Sequence, residues 1–165
     1  MTREEFISLA SAGQESLRRF LLVLCNGDAA TSDDIAQEAL VNAYMASSSF
    51  RGAARFETWL FRIAYNCFID RLRRRQIRLE PLDADRLQAV PAAEDAERKF
   101  RHEDLYLALD NLPEKERAAL LLFYMEDRPV KEVSAILGIP AGSVRAYLTR
   151  GRQHIKAYLE KWRMR

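Results

Sequence analysis

Cysteine, histidine and strand-like alternation are all scarce in this 165-residue chain, and each scarcity closes off a class of protein. Cys25 and Cys67 are the only cysteines and stand far apart, which argues against a disulfide framework or a zinc site and for two free thiols. The basic residues closest to Cys25 in sequence are Arg18 and Arg19, too little to mark it as a redox-sensing thiolate. The two histidines have no partner constellation around them, and there is no glycine-rich nucleotide loop. No enzyme, cofactor or metal is therefore expected. No apolar run reaches the ~20 residues of a membrane-spanning helix, and the acidic start TREEF does not read as a secretory signal, so a cytoplasmic protein without membrane insertion is expected. No run alternates apolar and polar residues between turn signals, and no internal repeat is evident.

Helical periodicity is present throughout, and hydrophobic residues make up 48% of the chain, enough for a buried core. Thr2 and Glu5 have capping-box spacing, so a first helix opens there and runs, with a break near Gly13, to the turn signal Asn26-Gly27. Thr31 or Ser32 is expected to cap a second helix, with Asp33 and Asp34 in its first turn and Ile35, Ala36, Ala39, Leu40 and Ala43 on one face. A polar, glycine-containing loop follows (SSSFRGAARF, 47–56). The next segment, FETWLFRIAYNCFIDRLRRR (56–75), places Leu60, Ile63, Ala64, Cys67 and Phe68 on one broad helical face. Arg62, Asn66, Ile69 and Arg73 fall on the opposite face, with Trp59 on its shoulder, and the segment ends in an arginine cluster.

Charge divides the chain. Residues 1–75 carry net +1, residues 76–98 net −3 and residues 99–165 net +4, with seven basic and one acidic residue in 141–165. Two basic clusters flanking an acidic middle suggest polyanion binding in two places. Residues 76–98 hold two prolines, few large apolar residues and six acids, which reads as an extended or disordered linker. The predicted fold is all-α: a helical domain over 1–75, a flexible acidic linker over 76–98 and a second helical domain over 99–165. In the second domain Leu105, Leu109 and Leu112 form a stripe, Pro113 marks a helix start and 118–124 is strongly apolar.

The segment PVKEVSAILGIPAGSVRAYLTRGRQHIKAYL (129–159) has the layout of a helix-turn-helix. The spacing predicts a first helix over about 129–137 with Val133 and Leu137 buried, and a small Ser134 that allows close approach. Gly138 can take the positive φ needed to leave that helix, Ile139 plugs the corner and Pro140 begins the second helix. Val144, Leu148 and Ile155 point inward with Tyr147 beside them. Arg145, Thr149, Arg150 and Arg152 are left outward, where they can reach a major groove. The competing reading is a helical hairpin with a solvated basic face, and His154 reads as a surface or phosphate-contacting side chain.

Taken together, the two halves resemble the extracytoplasmic-function (ECF) group of the bacterial sigma-70 family. DDIAQEALVNAY (33–44) is similar to sigma region 2.2, FRGAARFETWLFRIAYN (50–66) to regions 2.3 and 2.4, and residues 109–155 to region 4. The resemblance implies an RNA polymerase sigma factor: core polymerase, at its clamp coiled coil and flap regions, and promoter DNA as partners, and an anti-sigma factor that holds it inactive. It implies that Asp34, Gln37 and Glu38 contact the polymerase. It places the minus-ten strand against Phe50, Arg51, Arg55, Trp59, Arg62, Asn66, Arg73 and Arg74, where Trp59 either stacks on a base or packs against the core. It assigns the minus-thirty-five element to Arg145, Ala146, Thr149, Arg150 and Arg152. The chain departs from the family pattern at Ala146 and Tyr147, which replace a polar or basic pair, and at Gly151, which replaces a usual alanine; the preferred promoter sequence is therefore left open. The acidic segment is either a thread through the polymerase's nucleic-acid channels or an inert tether. A free-standing helix-turn-helix regulator, a small helical enzyme and a pure interaction module are the alternatives, distinguished by dispensability of the first half, by a catalytic constellation, and by lack of the 50–66 block.

Overall fold

The computed structural model describes residues 1–78 and 96–163. Helices α1 (Arg3–Leu24), α2 (Ala29–Ala46) and α3 (Phe56–Arg78) pack on one another as a first unit. Helices α4 (Ala96–Asp110), α5 (Glu114–Leu120), α6 (Val130–Leu137) and α7 (Ala141–Arg163) form a second. There is no strand among the described residues, so the chain is all-α as expected. Of the acidic linker, residues 79–95 lie outside the described residues; its flanks do not, and they are helical, with α3 running on to Arg78 and α4 beginning at Ala96.

Local chemistry sets the helix ends. Thr2 Oγ1 accepts from the Glu5 amide at 3.1 Å while the Glu5 carboxylate accepts from the Thr2 amide at 2.8 Å, closing the capping box. No break occurs at Gly13. The helix is continuous, and Gly13 is buried against the Glu57 side chain of α3, so this glycine serves close approach rather than a bend. The second helix is capped by Asp28, not by Thr31 or Ser32. Asp28 accepts from the Thr31 amide at 3.1 Å and from its hydroxyl at 2.7 Å, which lets the helix start at Ala29, three residues before Ser32. Asp33 and Asp34 consequently lie beyond the first turn.

The core is built on α3. Leu60, Ala64, Cys67 and Phe68 are buried on the expected face and Ile63 is half-buried. The structure also buries Phe61 (0% exposed) and Tyr65 (4%), which periodicity alone left aside. Phe61 stacks on Phe20 of α1 with centroids 5.4 Å apart, and its full burial is worth about 1.5–3 kcal/mol. One continuous apolar cluster runs from α1 through α3 into α5, α6 and α7, so the two units share a core. In the second unit Leu109, Leu112, Val133, Val144 and Leu148 are buried as expected, joined by Ile136, whereas Leu105 is 42% exposed. After α5 the chain continues as a five-residue π-helical turn over Leu121–Met125 that carries it out to α6.

Gly151 is buried in the middle of α7, and a methyl group there would come within 2.8 Å of Leu120 Cδ1. Glycine stands where an alanine is usual because α5 fills the space. Gly142, in the first turn of α7, faces open space. Gly142→Ala should therefore stabilise the protein by about 0.5 kcal/mol, whereas Gly151→Ala should lose more to overpacking, about 1–3 kcal/mol, than it gains in helix propensity. Urea titrations of the two variants check this, and a Gly151→Ala protein more stable than wild type overturns the packing account. Hydrogen bonds from the Thr31 hydroxyl and amide lower the Asp28 pKa. A carboxylate depressed in the folded state adds stability that is fully present above its unfolded value, ~3.9, and is lost as pH falls through the folded value. Asp28→Ala should cost about 1 kcal/mol at neutral pH, with the difference from wild type shrinking below about pH 4, while Asp28→Asn retains most of the cap.

Candidate nucleic-acid and polymerase interfaces

Three surfaces gather the residues singled out in the sequence. The first is the outer stripe of α2. Ile35, Ala36, Ala39 and Ala43 face the core, leaving Asp34 and Gln37 exposed and Glu38 half-buried on the other side. Asp34 lies 3.6 Å from Arg71 of α3, so Arg71 is engaged within the unit. The same stripe continues through Val41 (57% exposed) and Met45 (76%), at helical spacing from Glu38 and Asp34. Sequence reasoning passed over both, although an apolar residue on the polar side of an amphipathic helix is a readable signal.

The second surface is the loop before α3 together with that helix's polar face. Phe50 is half-buried with its ring 5.0 Å from Trp59 and 5.9 Å from Phe56; Phe56 and Trp59 are 5.6 Å apart. Of the two readings of Trp59, the packing one is met: its ring leans on this cluster and stays half-buried. Arg51, Asn66, Arg73 and Arg74 are exposed. Arg55 and Arg62 are exposed too, but both reach the second unit. Arg55 Nε lies 3.7 Å from Glu132, and Arg62 Nη1 donates to the Ala135 carbonyl at 2.6 Å. The row expected to face the strand is thus split, with Asn66, Arg73 and Arg74 open to solvent and Arg55 and Arg62 turned to α6.

The third surface is the outer face of α7. Gly138 takes φ +68° at the end of α6, as the turn requires, and the Ser134 hydroxyl donates to the Ile139 carbonyl across the corner. Arg145, Ala146, Thr149 and Arg150 are exposed on the side away from buried Val144 and Leu148. The Arg150 guanidinium lies over the Tyr147 ring, 4.8 Å from its centroid, and Arg152 donates to the Tyr124 hydroxyl at 2.9 Å. Both cations thus have partners within the second unit. Tyr147, a departure from the family pattern, is the ring that positions Arg150. His154 is not solitary: its Nδ1 lies 2.7 Å from the Glu116 carboxylate, which is only 5% exposed. That partner is 38 residues earlier in the chain and could not be read from the local sequence.

Polar contacts also cross between the units, beside the apolar cluster they share. Arg19 makes a two-point contact with Glu126 at 3.0 and 3.1 Å, its guanidinium pKa raised by that hydrogen bond and charge. Buried Arg128 donates to Glu57 at 2.6 Å and to Glu132 at 3.3 Å, with its guanidinium 5.1 Å from the Phe61 centroid. A polar cleft of about 450 Å³ opens there, lined by Arg19, Arg55, Glu57, Glu126, Arg128 and Glu132 among others. Burial lowers Arg117 from the ordinary guanidinium value, with Asp110 opposing, and pushes the Cys25 thiol up to about 12, so Cys25 is protonated at neutral pH and a poor nucleophile. Among the described residues no group of three or more His, Cys, Asp or Glu side chains could hold a metal ion, and no helix is long and apolar enough to cross a membrane.

Family models fall on both units. The model for sigma-70 region 2 matches residues 10–77 and that for sigma-70, region 4, matches residues 102–155. The chain is 36% identical over 142 residues to the ECF RNA polymerase sigma factor SigE of Mycolicibacterium smegmatis, covering 82% of this chain and 54% of that one, and so spans about half the length of this relative. It is 30% identical to the ECF RNA polymerase sigma factor EcfG of Rhodopseudomonas palustris (90% of this chain, 81% of the relative). It is 31% identical to SigW of Bacillus subtilis (81% and 78%). The fold is that of the sigma factor RpoE solved in complex with the anti-sigma factor NepR from Bartonella quintana, with TM-score 0.77, 23% identity, and 95% of this chain and 98% of that one covered. CnrH, solved in complex with the cytosolic domain of CnrY, superposes with TM-score 0.72 at 21% identity (97% and 90% covered).

The His154–Glu116 pair ties α7 to α5 and should be visible energetically. His154→Ala leaves a buried carboxylate without its partner and should cost about 1–3 kcal/mol. Replacing both residues, as in His154→Ala with Glu116→Leu, should recover most of that loss in a denaturation cycle; additive losses would show that the pair is not coupled.

Proposed function

The chain belongs to the sigma-70 family, in its extracytoplasmic-function group, and on that footing we propose that it is a promoter-specificity subunit that binds core RNA polymerase and directs it to promoters. The observation that carries this reading is that the two family matches coincide with the two arginine-bearing surfaces, one on α3 and its preceding loop and one on α7. The unit over 1–75 would hold the polymerase clamp coiled coil and the minus-ten element, the unit over 99–165 the flap region and the minus-thirty-five element, and the segment over 76–98 would link them.

The division of labour follows from the chemistry of each surface. A base released from a melting duplex offers a flat face and a free hydrogen-bonding edge, which suit a rigid aromatic cluster and a polar row. The half-buried Phe50, braced by Phe56 and Trp59, and the loop to Arg55 supply the first, and Asn66 stands where strand separation begins. Arg51, Arg55, Arg62, Arg73 and Arg74 hold phosphates. On α7, Arg145, Thr149, Arg150 and Arg152 face duplex DNA, with Arg150 already extended over Tyr147, and Ala146 offers a methyl to a thymine methyl rather than a hydrogen bond. Asp34, Gln37 and Glu38 dock on the clamp. The chain contributes sequence reading and strand capture, the polymerase the chemistry; it works in the cytoplasm, and an anti-sigma factor restrains it, as the complex of the structurally similar RpoE with NepR suggests.

In vitro transcription with core polymerase over a promoter library tests the proposal; absence of promoter-specific initiation would refute it. Asn66→Ala should impair open-complex formation while leaving polymerase binding nearly intact, whereas equal loss of both would remove Asn66 from the melting site. Arg150→Ala should weaken minus-thirty-five binding by about 1–3 kcal/mol if it reads a base edge, or lower the salt slope by about one unit if it holds a phosphate. Glu38→Lys should reduce retention of the protein by core enzyme in a pull-down.

A further inference from the structure

Two of the arginines assigned to the minus-ten strand are already occupied, and their partners lie on one short helix of the other unit. The left-handed turn at Gly138 explains how. The Ile139 amide, which in a continuing helix would donate to Ala135, is diverted to the Ser134 carbonyl at 3.2 Å. The Ala135 carbonyl, at the negative end of α6, is left open and accepts from Arg62 at 2.6 Å. One turn earlier on α6, the Glu132 carboxylate lies 3.7 Å from Arg55. Gly138 leaves room for this approach, since a Cβ there would sit 3.4 Å from Arg62 Nη1. A carboxylate and an exposed carbonyl thus meet two guanidinium groups with oxygen, as the backbone phosphates of a single strand would.

We infer that α6 is an internal stand-in for the minus-ten strand: the closed arrangement of the two units masks Arg55 and Arg62, and the junction must part before that strand can be captured. The Arg19–Glu126 and Arg128–Glu57 pairs hold the mask in place from either side. The inference rests on the reading of Arg55 and Arg62 as strand contacts. It goes beyond that reading by making closure of the units and strand binding mutually exclusive within the chain itself. If closed molecules dominate the free protein, apparent affinity for the strand is reduced by the fraction that is open.

The test uses the full chain carrying Glu126→Gln with Glu132→Gln, neither of which is assigned to DNA. Glu103→Gln with Asp104→Asn, two exposed positions on α4, is the charge-matched control, because loss of acids alone raises affinity for a polyanion. Small-angle scattering reads opening. Fluorescence anisotropy reads binding to a labelled single strand taken from the minus-ten region of a promoter the protein transcribes. The expected result is a larger radius of gyration and binding about tenfold tighter than the control, as for a mask closed in about nine molecules of ten. A variant that stays closed, or that opens without tighter binding than the control, overturns the inference. Adding Arg62→Ala to the open variant separates the two readings: a loss of binding upholds Arg62 as a strand contact, and no loss refutes that assignment and the mask with it. Should the double variant misfold by circular dichroism, Glu57→Gln loosens the same junction from α3 and is judged by the same outcomes.

Discussion

The Phe61 ring is the contact on which the architecture turns. One face stacks on Phe20 of α1, and the Arg128 guanidinium of the second unit comes within 5.1 Å of the ring centroid. A single side chain of α3 therefore closes the core of its own unit and seats the other. This explains why α3 is buried on more sides than its amphipathic pattern requires, and why its polar row is divided between solvent and α6. It also sets the placement of Glu57, one turn before Phe61, and of Arg62, the residue after it, where polar contacts to the second unit gather.

The junction carries buried charge beside the apolar cluster that the two units share. Arg117 and Arg128 are both nearly buried, and the Nε of each is buried without a hydrogen-bond partner among the described residues. Desolvating a guanidinium costs several kcal/mol, which the surrounding carboxylates, carbonyls and ring offset only in part. Water stands ready to reclaim these groups when the units part. An apolar junction of the same extent would gain nothing comparable on separation. Apolar contact and buried charge thus act in opposite directions across one surface.

Much of this was legible in the sequence, because local periodicity encodes local burial. The Leu60–Phe68 face, the capping box at Thr2, the turn at Gly138 and the outward arginines of α7 all follow from spacing that short-range physics enforces. What escaped was set by partners distant in sequence. Phe61 and Tyr65 fall between the two faces a helical wheel assigns, and Phe61 is covered by partners distant in sequence, Phe20 of α1 and Arg128 of the second unit. Asp28 lost to Thr31 and Ser32 as an expected cap because all three are capping residues and only geometry ranks them. Glu116 and His154 are separated by a whole helix-turn-helix element, so neither predicts the other. Gly151 read as a weakness in α7 until Leu120 filled the space beside it. The residues expected to face the strand come from family resemblance alone, whereas their split between open and engaged members is a property of tertiary packing.

That close approach of Gly151 to Leu120 has a mechanical meaning. With no side chain between them, the backbone of α7 rests directly on α5, and the contact acts as a fulcrum near the middle of a long rod. At ~1.5 Å per residue, Arg145 lies about 9 Å from this fulcrum, so a tilt of about 10° there carries it through about 1.5 Å. Hydrogen bonds to base edges tolerate a few tenths of an ångström. The buried glycine of the helix thus bears on where its arginines point.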